Sequence, residues 1–124
     1  SSTSVSAVEV ITHLNADTET LSRQQLKAIY LGQQAQWPNG SSIKLYVLPA
    51  NNSTHQIFIE QLLGLYPYQF NRRWQKLVFS GFAVKPVQVA NQQQMLSVIA
   101  TTPGSIGYVQ EKTAQQGIRY VSLY

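Results

Sequence analysis

The run Ile43-Lys-Leu-Tyr-Val-Leu48 and the stretch that follows it, Pro49-Ala-Asn-Asn-Ser-Thr-His-Gln-Ile-Phe58, constrain the fold most. The first part is a short apolar run closed by a proline, which reads as a strand. The second is a polar turn that opens near Ser53 into a helical pattern with Ile57, Phe58, Leu62 and Leu65 inward. A strand feeding a helix through a short turn is the repeating unit of α/β proteins. The first N–H groups of such a helix have no partner within it, and the helix dipole adds partial positive charge there. Anions are held at such places.

The rest of the chain fits layers around that unit. Residues 5–13 read as a first strand and residues 15–20 as a polar turn. Residues 21–31 form a helix, with Ser22 as N-cap, Gln25 at capping-box spacing, Leu26, Ile29 and Tyr30 inward, and Gly32 to end it. In the following loop, Trp37-Pro-Asn-Gly40 is a turn whose tryptophan either lids the core edge or stacks on a ligand. Residues 53–63 make the second helix, capped by Ser53 with Gln56 or by Asn52. A third helix starts at Tyr66-Pro67, turns Phe70, Trp74, Leu77 and Val78 to one face, and stops at Gly81. Residues 82–89 contain a short extended segment. Asn91 caps a fourth helix with Met95, Val98, Ile99 and Thr102 inward. Residues 105–109 and 118–123 are strands, and Gly107 predicts close backbone approach. Helices alternating with strands predict one α/β domain over residues 1–124, with a mixed, mostly parallel sheet flanked by helices.

Composition narrows the function. Of 124 residues, 44% are hydrophobic, enough for a core, and only 11% are charged, against about 25% in an average domain. The net charge of +4 comes from scattered lysines and arginines, with only Arg72, Arg73 and Lys76 clustered. No nucleic-acid surface is expected from so thin a pattern. The absence of cysteine excludes disulfides and thiol chemistry. No apolar run reaches the about 20 residues that a membrane span needs. The opening Ser-Ser-Thr-Ser suggests a flexible N-terminus over residues 1–4 and a secretory signal already removed, hence a periplasmic location.

The candidate ligand-binding residues are Asn52, Ser53, Thr54 and His55. Backbone N–H groups, hydroxyls and an amide can donate to phosphate or sulfate without adding charge. The same residue types also cap helices, so capping alone explains them equally. His55 either pairs with the anion when protonated or stands as an exposed polar residue, and the helix N-terminus disfavours its charged form. His13, at a strand end, reads as structural, and no third ligand joins the two histidines in a metal site. Glu9, Asp17, Glu19, Glu60 and Glu111 form no recognised acid–base pair. No catalytic residue and no cofactor is expected.

Several segments together resemble a known family. Leu26-Lys-Ala-Ile-Tyr-Leu-Gly32 followed by Trp37-Pro-Asn-Gly40, Phe58 in the next helix, Phe79-x-Gly81, and Thr102-Pro-Gly-Ser-Ile-Gly-Tyr-Val109 resemble, in order, the phosphate-type periplasmic substrate-binding proteins. The resemblance runs from about Val8 to Val109 and is closest to short, single-lobe, phosphate-transport-like members. It implies one lobe of a type 2 periplasmic-binding-protein fold. It also implies a non-enzymatic role in oxyanion binding related to phosphate uptake by ABC transport. In the family a Ser-Gly-Thr turn grips the oxyanion, and the Phe58 register puts Asn52, Ser53 and Thr54 there. Ser53 replaces the glycine, and Leu48 and Pro49 stand near the place of the family's arginine. A second wall for the site would come from a homodimer or an envelope protein partner. The competing expectation is an envelope protein-interaction module that has lost small-ligand binding.

Overall fold

The computed structural model describes residues 8–16, 18–81 and 85–124. They form β1 (Glu9–His13), β2 (Thr20–Leu21), α1 (Arg23–Tyr30), β3 (Lys44–Val47), α2 (Ser53–Ile57), α3 (Pro67–Phe79), β4 (Val87–Gln88), α4 (Gln92–Thr101), β5 (Ser105–Val109) and β6 (Ile118–Leu123). The expected flexible terminus at residues 1–4, the expected strand residues 5–7, and residues 82–84 of the expected extended segment lie outside the described residues.

The strands make one sheet in the order β2-β6-β1-β5-β3-β4. β2 runs parallel to β6, and β3 runs parallel to both β4 and β5. β1 is antiparallel to its neighbours β5 and β6. Every described strand except β1 therefore points the same way, and the sheet is mixed and mostly parallel. Side-chain alternation is the same for either direction, so the sequence pattern could not single out β1. β2 departs from the expectation, which puts Thr20 in a turn and Leu21 at the head of the first helix. Its two residues are a strand because they pair with Ser122 and Leu123, a contact made about a hundred positions away.

The register sorts the two faces. Val10 and Thr12 of β1 lie opposite Tyr108 and Ile106 of β5, and Leu45 of β3 lies opposite Ile106. Tyr30 of α1 reaches this face, its hydroxyl 3.0 Å from Tyr46 O and 3.2 Å from Ile106 O. Phe58, just past α2, stacks on Tyr108 with ring centroids 3.9 Å apart. The other face packs on α4. A Cβ added to Gly107 would come within 2.5 Å of Met95 Sδ, which is the close approach the sequence predicts there.

α1 carries the expected capping box: Gln25 N donates to Ser22 Oγ (3.0 Å) and Ser22 N to Gln25 Oε1 (2.9 Å). Trp37 is the lid over the core edge, buried with its Nε1 donating to Gly104 O at 2.9 Å. α3 docks onto the end of α1 through Trp74 Nε1 to Tyr30 O (2.8 Å) and Arg73 Nε to Leu31 O (3.1 Å). Phe70 and Trp74 are buried as expected, whereas Val78 is exposed. Because β2, β3 and β4 run the same way, α1, α2 and α4 all begin at one edge of the sheet. That edge, outside the carboxyl ends of the strands, is where open α/β sheets hold ligands.

Candidate functional site: the turn between β3 and α2

β3 ends at Val47, and Leu48 carries the chain into a turn closed by Asn52 N donating to Pro49 O at 2.9 Å. Asn52 is the N-cap, with extended backbone (φ −79°, ψ 131°). Its Oδ1 accepts from Thr54 N at 2.8 Å and His55 N at 3.3 Å. Gln56, instead of boxing with Ser53, turns back so that its Nε2 donates to Ala50 O at 3.4 Å. The helix is α-helical only over Ser53–Ile57 and then widens over Phe58–Leu62, where Leu63 N donates five residues back to Phe58 O at 3.2 Å. Such wide turns are rare and occur often at functional sites.

The structure brings Asn52, Ser53, Thr54 and His55 together at this helix start but gives them unequal access. Asn52 is half-buried and Ser53 exposed, while Thr54 and His55 are buried. The N–H groups of Thr54 and His55, which an anion would use, already donate to the Asn52 side chain.

The position of His55 departs from both sequence readings. It is neither an exposed polar residue nor a cation facing the turn. The residue is 3% exposed, its ring is edge-on to Phe70 with centroids 6.0 Å apart, and its Nδ1 is hydrogen-bonded to the Tyr108 hydroxyl. Leu48 N donates to the same hydroxyl oxygen at 2.9 Å. The Tyr108 hydroxyl thus accepts from Leu48 and shares a hydrogen bond with His55 Nδ1. Burial lowers the His55 pKa to about 4, so the ring is neutral at physiological pH. Burial raises that of Tyr108, an effect the Leu48 N–H opposes. The pKa of Tyr30, wholly enclosed beside it, is also raised, by burial first and then by the neighbouring Tyr108.

Tyr108 and Leu48 are therefore the residues that sequence reasoning missed. Tyr108 binds Leu48, the residue just after β3, and the first turn of α2 at once, from a strand more than fifty positions away. A signal existed: alternation turns Ile106 and Tyr108 to the same face of β5, so the tyrosine hydroxyl needs a partner inside the core. Nothing in the sequence pointed to His55 as that partner. Among the described residues no group of three or more histidine, aspartate or glutamate side chains could hold a metal ion.

The strand order, the helices on both faces and the turn at the carboxyl edge define one lobe of a type 2 periplasmic-binding-protein fold. No family model and no curated protein sequence matches the chain. Solved structures do match. An ABC-type phosphate transport receptor from Vibrio cholerae has 16% identity and a TM-score of 0.72 over 94% of this chain and 45% of its own. A putative phosphate ABC transporter substrate-binding protein with bound phosphate from Clostridium perfringens has 18% identity and a TM-score of 0.75 over 94% of this chain and 44% of its own. PstS from Borrelia burgdorferi has 16% identity and a TM-score of 0.69 over 94% of this chain and 47% of its own. The chain spans less than half the length of each, and likeness at this identity is a likeness of fold. These neighbours are binding proteins. No helix among the described residues is long and apolar enough to cross a membrane.

Proposed function

We propose that this chain is a non-enzymatic, periplasmic substrate-binding-like module that takes phosphate or a similar oxyanion at Asn52, Ser53, Thr54 and His55. The observation that carries the reading is the turn itself. It gathers these residues at a helix start on the carboxyl edge of the sheet, in a fold shared with a receptor solved with phosphate bound. Ser53 offers an exposed hydroxyl and the first N–H of the helix. The N–H groups of Thr54 and His55 become available when the Asn52 side chain swings off them. Anion binding therefore competes with self-capping, which is worth about 1 kcal/mol. His55 contributes its backbone N–H and no charge, since its ring is neutral. An anion on one turn stays wet, so the electrostatic gain is small unless a second copy or an envelope protein covers it.

The test is calorimetric titration with phosphate and sulfate at low salt. Millimolar binding is expected for the native chain and its loss for Ser53→Pro. Proline is tolerated at the first helical position, and Asn52 already has the extended backbone that precedes it, so the variant removes two donors and keeps the fold. Absence of heat and of any thermal shift at about 10 mM ligand, a level that would register even a weak site, overturns the reading.

One observation favours the alternative of an interaction module that has lost small ligands. The Asn52 cap and the Tyr108–His55 bond satisfy this turn from within. On that reading, crosslinking in an envelope fraction captures a reproducible partner, and Ser53→Pro leaves the capture unchanged.

A further inference from the structure

A concavity lies at the same edge of the sheet, and none of Asn52, Ser53, Thr54 or His55 lines it. Its volume of about 480 Å³ is that of a small-molecule site. The floor is apolar, built from Val10 of β1, Val121 and Leu123 of β6, and Ile57 at the end of α2. The widened helical turn after α2 forms one wall through Gln61 and Leu62.

The mouth is charged. Arg23 is fixed twice: its guanidinium Nη1 donates to Gln61 O at 3.2 Å, and its backbone N–H donates to Tyr124 O at 2.9 Å. Lys112 places its amine 5.7 Å from the centroid of the Tyr120 ring. Glu9 is the third charged group of the lining. Among the described residues the one ion pair joins Arg119 to Glu19, so none of Arg23, Lys112 and Glu9 has an ion-pair partner among them. Arg23 and Lys112 thus set two cations beside the single carboxylate of Glu9 in the lining of a cavity with buried valines.

We infer that this cavity binds a small organic monoanion, an apolar chain or ring carrying one carboxylate. The apolar body loses water against the valines and leucines. The carboxylate meets the guanidinium in the geometry that favours charge-assisted hydrogen bonds, with Lys112 adding charge. Glu9 works against a dianion and against a second acidic group on the ligand. The cavity therefore selects differently from the β3–α2 turn, which offers neutral donors and no apolar floor.

Octanoate is the probe, with octan-1-ol as its neutral counterpart and inorganic phosphate as competitor, read by calorimetry and by amide chemical shifts on the full chain. Octanoate is expected to bind with a Kd below about 1 mM and octan-1-ol at least about tenfold more weakly. Arg23→Gln with Lys112→Gln should weaken octanoate about tenfold, towards the alcohol, and Glu9→Gln should strengthen it. Gln61→Trp, which places an indole in the mouth and keeps the Gln61 carbonyl bond, should block both probes. Phosphate should not displace octanoate, and Ser53→Pro should leave octanoate binding unchanged, which separates this site from the oxyanion turn. Equal binding of acid and alcohol, no loss in the Arg23 and Lys112 variant, or no saturable octanoate binding by about 5 mM overturns the inference.

Discussion

The turn from β3 into α2 and the turn from β4 into α4 start alike. Each ends in an asparagine with extended backbone, Asn52 and Asn91, and each asparagine Oδ1 accepts a backbone N–H of the following helix. Beyond that they differ. The Asn91 turn is held by surface bonds: Gln94 N donates to Asn91 Oδ1 at 2.9 Å, and Ala90 N to Gln94 Oε1 at 2.6 Å. The Asn52 turn is also held from below, where the Tyr108 hydroxyl joins Leu48 to His55 inside the core. Burying a histidine and a phenol is costly without hydrogen bonds, and the Leu48–Tyr108–His55 contacts offset part of that cost. Capping residues alone make the two turns look alike, and the buried polar unit beneath the first is what distinguishes them structurally.

Removing that unit should have the largest effect. Tyr108→Phe leaves Leu48 N–H and His55 Nδ1 without their partner in the core while keeping the ring stacked on Phe58. A loss of about 3 kcal/mol is expected in urea unfolding, against less than about 1 kcal/mol for Gln94→Ala at the other turn. Equal losses from the two variants would break the comparison.

Acid should act on the same unit. In the unfolded chain His55 protonates near its ordinary value of 6.5, whereas in the folded chain burial delays this to about 4. Above pH 6.5 the ring is neutral in both states and its contribution to stability is fully present. As pH falls from 6.5 towards 4, the unfolded chain takes up a proton that the folded chain does not, and stability drops, by about 2 kcal/mol after allowing for solvent screening. His55→Gln keeps an acceptor for the Tyr108 hydroxyl and does not titrate. Its unfolding free energy should be flatter than that of the native chain between pH 6.5 and 4. Parallel pH profiles would show that His55 is not held neutral by the core.

Most of the fold was legible in the residues because it rests on local chemistry. The Ser22–Gln25 box, the Asn91 cap, the Trp37 lid and the close approach at Gly107 each depend on a few neighbouring residues with a specific physical requirement. The direction of β1, the two-residue strand Thr20–Leu21 and the widened turn after α2 depend on partners far along the chain, and no local pattern encodes them. The candidate site was legible in the same uneven way. Its position followed from a strand running into a capped helix. Its chemistry did not, because His55 was read from its place in the first helical turn, where a side chain can face solvent. In the structure His55 instead lies buried, hydrogen-bonded to Tyr108.

The smallest effects test whether the turn is a site. Asn52→Ala and Asn91→Ala should each cost about 1 kcal/mol, the usual worth of an N-cap, and in that respect the turns should look the same. Phosphate should then tell them apart. Loss of the Asn52 side chain frees the N–H groups of Thr54 and His55, two donors that converge on the place its Oδ1 held. Loss of Asn91 frees the single N–H of Gln94. An anion that binds only the folded chain stabilises it by about 1.4 kcal/mol at ten times its Kd. Millimolar phosphate should therefore restore much of the stability of Asn52→Ala in thermal melts and little of that of Asn91→Ala. Recovery in neither variant would leave Asn52 a cap and nothing more; equal recovery in both would make phosphate binding a general property of helix starts at this edge, with no special role for the turn after β3.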